Sequence, residues 1–88
     1  MSDDPVRIPI APEIDLHAFR PRDIPDVVTA YLAAAHEAGF REVRLVHGRG
    51  RGVQRGIVQA VLEREPLVVS FHDDTASHLG ATLARLAD

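Results

Sequence analysis

Apolar and polar side chains alternate through Glu13-Ile14-Asp15-Leu16-His17, the period-two signature of a strand with one covered face. Arg20-Pro21-Arg22-Asp23 breaks that alternation, and Asp23 is placed to cap a helix whose first turn holds Pro25, where a missing N–H costs nothing. Ile24, Val27, Val28, Tyr31, Leu32 and Ala35 then recur at three- and four-residue spacing up to Gly39, so a helix is predicted over Ile24 to Ala38. Val43-Arg44-Leu45-Val46 predicts a second strand that ends at His47. Beyond a glycine-rich stretch, Val53, Ile57, Ala60 and Val61 share one helical face, which predicts a second helix over Val53 to Arg64, stopped by Pro66. Leu67-Val68-Val69-Ser70-Phe71 reads as a buried strand, and Ala81 to Leu86 alternates as an edge or neighbouring strand would. Asp73 to His78 reads as a polar loop between them.

The element order is therefore βαβαββ, and helices crossing between parallel strands make an α/β two-layer sandwich the expected architecture. Met1 to Ala11, with three charges, two prolines and no period, reads as a flexible arm ahead of one domain over residues 12–88. A chain of 88 residues has room for one modest core. No apolar run is long enough for a membrane helix, and no secretory signal opens the chain, so a cytoplasmic protein without membrane contact is expected.

Composition narrows the chemistry. With no cysteine, disulfides and thiolate catalysis are excluded, and only His, Asp and Glu remain as metal ligands. The net charge of -3 weighs against nucleic acid. Its distribution weighs the other way: all ten basic residues are arginine, the side chain whose planar fork fits phosphate oxygens, and Arg49, Arg51 and Arg55 crowd one short segment.

If the strands run parallel, the carboxyl edge of the sheet, where ligands bind in open α/β folds, receives His17 and His47. A parallel third strand adds His72, Asp73 and Asp74, and an antiparallel fourth would start there beside His78. Polar residues decorate strand ends in many turns, which is the plainer account of those last four. His36, late in the first helix, lies toward the other end and reads as a solvated residue. Asp15 and His17, two apart on a strand, share a face, and a carboxylate beside an imidazole fixes its tautomer and raises its basicity. That pair suits general acid–base work, although the same spacing suits a structural ion pair. His47-Gly48-Arg49-Gly50-Arg51-Gly52 puts three glycines before a helix, where free amides and the helix dipole attract anions. It is neither a phosphate-binding Walker loop nor a dinucleotide fingerprint, and a plain tight turn would also use such glycines.

IDLHAF at Ile14 to Phe19, LVHGRGRG at Leu45 to Gly52 and LGATLARL at Leu79 to Leu86 resemble the three ordered motifs of the Smr (small MutS-related) domain, over about residues 13 to 86. The resemblance implies a four-stranded mixed sheet with two helices, similar to the carboxyl-terminal domain of translation initiation factor three, and nicking or cleavage of DNA or RNA. It implies Asp15 and His17 as a catalytic pair, and His47, Gly48, Gly50 and Gly52 as a phosphate-facing loop. His47 is expected as a second acid–base group or a substrate contact, and Arg49, Arg51, Arg55 and Thr82 are expected in binding roles. Two departures stand out: Ala18 where the family has glycine, and Ser77 and His78 where it has a glycine pair.

The expected function is thus an endonuclease acting on nucleic acid, with water or the neighbouring 2′-hydroxyl of RNA as nucleophile. Magnesium or manganese on Asp15, Asp73 or Asp74 is compatible with the sequence but not required by its spacing. The competing expectation is a DNA- or RNA-binding module that cuts nothing and acts with a partner protein. A small-molecule phosphate enzyme would need more chain to close over its ligand.

Overall fold

The computed structural model describes residues 10–50, 52–77 and 80–88. Four strands, β1 (Glu13–Asp15), β2 (Glu42–Val46), β3 (Val68–Asp73) and β4 (Ala81–Leu86), alternate with two helices, α1 (Ile24–Glu37) and α2 (Val53–Arg64), in the expected order. The sheet order is β1-β2-β4-β3. β1 runs parallel to β2, and β4 is antiparallel to both β2 and β3, so the first three strands all point to one edge. Both helical crossovers step the same way across the sheet, and right-handed connections therefore place both helices on one face. Leu16, Ile24, Val28, Leu32, Val43, Leu45, Val58, Val61, Leu62, Ala84 and Leu86 form the core between the layers. The opposite face, carrying Glu13, Asp15 and His72, is exposed.

α1 ends as the sequence requires. Gly39 takes φ 100°, its amide bonds the His36 carbonyl at 3.1 Å, and the Phe40 amide bonds the Ala35 carbonyl at 3.0 Å. This paired closure satisfies carbonyls that a helix end would otherwise leave unmatched. The start differs from expectation. Asp23 makes no capping hydrogen bond, because it belongs to a short 3-10 turn, Pro21–Asp23, that feeds directly into α1.

The last two strands exchange their expected places. β4 is central, flanked by β2 and β3, whereas the apolar run read as a buried strand is the sheet edge, with Val69 64% exposed. A register shift between Val68 and Ser70 bends this edge, a device that discourages pairing with other chains. β3 also continues to Asp73, into the segment expected as loop, and Thr75–Ser77 forms a 3-10 turn. His36 is half-buried rather than solvated, and its Nε2 donates to the Ala87 carbonyl at 2.9 Å, fastening the last strand's exit to α1. The arm up to Pro9, Arg51, His78 and Leu79 lie outside the described residues.

Candidate functional site

β1 is anchored by Ile14 and the fully buried Leu16, whose amide extends the parallel ladder to the Val46 carbonyl at 2.6 Å. That anchoring leaves the flanking Asp15 and His17 side chains outward, 57% and 66% exposed. One Asp15 carboxylate oxygen accepts both the His17 amide at 3.0 Å and the His17 Nδ1 at 2.5 Å. The carboxylate only accepts, so the proton sits on Nδ1. Among the described residues nothing bonds Nε2 of this exposed ring. The hydrogen-bonded His17 ring, and secondly its amide, hold the Asp15 carboxyl below the ordinary value of 3.8.

The β2–α2 loop lies against this pair: a Cβ placed on Gly48 would sit 3.6 Å from the His17 Cβ. Gly48, Gly50 and Gly52 adopt φ 80°, 36° and 80°, a region that disfavours side chains. The loop and the first turn of α2 line a cleft of about 270 Å³ that includes Arg49, Val53 and Gln54. α2 has no side-chain cap. Among the described residues the amides of Arg49, Gly50, Val53 and Gln54 have no backbone acceptor, which is the donor set an anion would meet. The Gly48 amide is not available, because it and the His47 amide both bond the Gly80 carbonyl, at 2.9 and 3.0 Å. Gln54 reaches back from α2 to the Phe19 carbonyl at 2.9 Å and so ties the helix start to the loop after β1.

Beneath the loop runs a polar network, buried at His47 and Thr82 and partly exposed at Gln59, Arg55 and Asp73. His47, 2% exposed, has Nδ1 2.8 Å from the Gly48 carbonyl and Nε2 2.9 Å from the Thr82 hydroxyl. Gln59 of α2 donates to that hydroxyl at 3.1 Å and to Asp73 at 2.9 Å. Arg55 grips Asp73 through two bonds of 2.8 and 2.6 Å. The Arg55 guanidinium is the main reason that the Asp73 carboxyl is lowered to about 2. On the other face, Arg44 bonds Asp74 at 2.7 Å and Glu13 at 2.8 Å.

The structure thus brings Asp15, His17 and the glycine loop together at one edge, and it brings His47 there too, but as a buried ring with both nitrogens engaged. Thr82, expected on the substrate side, is fully buried, because β4 is central and turns this residue toward α2. Arg55, expected to meet phosphate, is turned onto Asp73. Arg49 is exposed beside the cleft. Arg51 lies outside the described residues. The acids considered as metal ligands are separated: Asp73 is held by Arg55, Asp74 by Arg44, and Asp15 by His17. Among the described residues no group of three or more His, Asp or Glu has metal-binding geometry. Sequence reasoning missed Gln54, Gln59 and Gly80.

The sequence model of the Smr domain matches residues 14–86. The endonuclease MutS2 of Caldicellulosiruptor saccharolyticus is 41% identical over 63 residues, covering 69% of this chain and 8% of its own length. That of Gemmatimonas aurantiaca is 34% identical over 86 residues, covering 96% of this chain and 10% of its own length. The chain thus spans roughly a tenth of these curated relatives. The crystal structure of the Smr domain of Thermus thermophilus MutS2 superposes with a TM-score of 0.81 at 29% identity, covering 86% of this chain and 98% of that one. YdaL, a stand-alone small MutS-related protein from Escherichia coli, shares the fold, with a TM-score of 0.79 at 21% identity, over 86% of this chain and 64% of its own.

Proposed function

Because the chain belongs to the Smr domain family, whose relatives include endonucleases, we propose that it cleaves phosphodiester bonds of nucleic acid with Asp15 and His17 as the catalytic pair. The observation that carries this reading is the Asp15–His17 pair: the carboxylate holds Nδ1 and leaves Nε2 without a partner among the described residues, next to the cleft of the glycine loop. A nucleophile, water or the 2′-hydroxyl of RNA, loses its proton to Nε2 as its oxygen attacks phosphorus. The leaving oxygen departs with the electrons of the broken P–O bond and takes a proton from solvent. Asp15 stabilises the imidazolium formed on the way. The Arg49 amide and guanidinium face the charge that develops on the phosphate. His47 acts as a positioning residue under the loop and makes no substrate contact.

The test is incubation of the protein and of His17→Ala with labelled DNA and RNA, with and without magnesium or manganese. Cleavage is expected in the wild type and a loss of roughly 100- to 10,000-fold in the variant, with binding retained. Wild-type rates in His17→Ala would overturn the assignment. The net charge of -3 and the commitment of Arg55 to Asp73 favour a second reading, a module that binds nucleic acid without cutting. Binding with no cleavage in any condition would select it.

A further inference from the structure

The network under the loop has a direction. Arg55 keeps Asp73 ionised, so Asp73 only accepts, and the Gln59 side chain must turn its NH2 group toward it. The second hydrogen of the same nitrogen then points to the Thr82 oxygen, 3.1 Å away. That oxygen could still donate to or accept from Nε2 of His47, 2.9 Å away; the Gly48 carbonyl at Nδ1, which only accepts, selects donation. An imidazole that accepts at Nε2 carries its proton on Nδ1, which donates to the Gly48 carbonyl at 2.8 Å. Every link has one consistent donor, and no buried side-chain polar atom among the described residues lacks a partner.

The final bond reaches the surface. The Gly48–Arg49 peptide is trans, so its carbonyl and the Arg49 N–H point in opposite directions. Holding the carbonyl down against His47 holds the Arg49 amide out, at the cleft. We infer that Gln59, acting through Thr82, reinforces the proton register of His47 that the Gly48 carbonyl requires, and so steadies the Arg49 amide as an outward anion donor. Gln59 is a positioning residue on a helix face, about as far from the exposed pair in role as a side chain of the same site can be. The inference rests on the reading of the loop as a phosphate cradle, but its first half, the register, stands independently of any ligand.

Long-range proton–nitrogen correlations of the isotope-labelled chain read the register directly. Wild-type His47 is expected as the neutral Nδ1–H tautomer. Gln59→Glu replaces the donor facing Thr82 with an acceptor, turns the hydroxyl away from His47 and should move the ring proton to Nε2. Thr82→Val should leave the proton on Nδ1, where the Gly48 carbonyl still accepts it, and Thr82→Ser, which keeps the hydroxyl, should leave the whole signature unchanged. Titrating inorganic phosphate should shift the Arg49 amide resonance in the wild type. The affinity read there should be roughly tenfold weaker in Gln59→Glu and near the wild-type value in Thr82→Val. A wild-type His47 protonated on Nε2 overturns the inference without any variant, as does an unchanged tautomer in Gln59→Glu. A moved proton with unchanged phosphate affinity breaks the link to Arg49. If the wild-type register is as expected yet phosphate leaves the Arg49 amide unmoved, the cradle reading falls and the register assignment stands.

Discussion

His17 and His47 end neighbouring parallel strands, yet their hydrogen bonds give them opposite chemistry. His17 spends one nitrogen on Asp15 and has no partner for the other among the described residues, whereas His47 spends both and is enclosed. A sequence shows the two histidines as equals, since nothing in their spacing tells which ring will be covered. The acids at the end of β3 behave in the same local way. Asp73 is depressed to about 2 chiefly by its bonds to Arg55. A carboxyl depressed in the folded state stabilises the fold fully above its ordinary value of 3.8, and that contribution is lost as pH falls toward about 2. Asp15 and Asp74 are shifted in the same direction, the first by His17 and the second by Arg44. Urea midpoints measured between about pH 5 and about pH 2 should therefore fall steeply in the wild type and less so in Asp73→Asn. An identical acid slope in both would show that the Arg55–Asp73 pair contributes nothing to stability.

At the scale of elements, α2 joins a strained start to an unremarkable middle. Gly52 begins it at φ 80° with open space around its Cβ position, so Gly52→Ala meets only backbone strain, about 1 kcal/mol. Gly56 lies inside the same helix, is exposed and has nothing within 4 Å of an added Cβ. Gly56→Ala should stabilise by about 0.5 to 1 kcal/mol, raising Tm by a few degrees, while Gly52→Ala lowers it. Thermal melts of the two variants would refute this if both moved the same way. Both helices, the first two strands and the edge that gathers His17 and His47 were legible, because each rests on a periodic apolar pattern or a glycine stop. The order of β3 and β4 was not. A short apolar run fits an edge strand as well as a buried one, and the small residues Ala81 and Ala84 conceal how central β4 is. Gln59 was illegible for the same reason: a glutamine on a helix gains a partner only once β4 lies in the centre and presents Thr82 to it.

For the whole molecule, charge is distributed so that an acidic chain still presents an exposed arginine, Arg49, at the cleft. The ten arginines are outnumbered by thirteen acids, and Arg44 and Arg55 are absorbed by Glu13, Asp74 and Asp73. Arg49 stays exposed at the cleft, beside amides that have no backbone acceptor among the described residues. If the edge binds the phosphate backbone, each contacting cation releases condensed counterions, and log affinity falls with log salt by about 0.9 per contact on duplex DNA. Arg49→Ala should therefore flatten that slope by about 0.9 and weaken binding alike for all sequences. Arg55→Ala should leave the slope nearly unchanged, because that guanidinium already faces Asp73, and should instead lower thermal stability by releasing Asp73 and Gln59. Fluorescence titrations of one oligonucleotide across a salt series, set beside melting curves of the same three proteins, separate the two arginines. A slope that falls with Arg55→Ala and holds with Arg49→Ala would place the phosphate path over α2 rather than over the loop, and would overturn the assignment of the cleft.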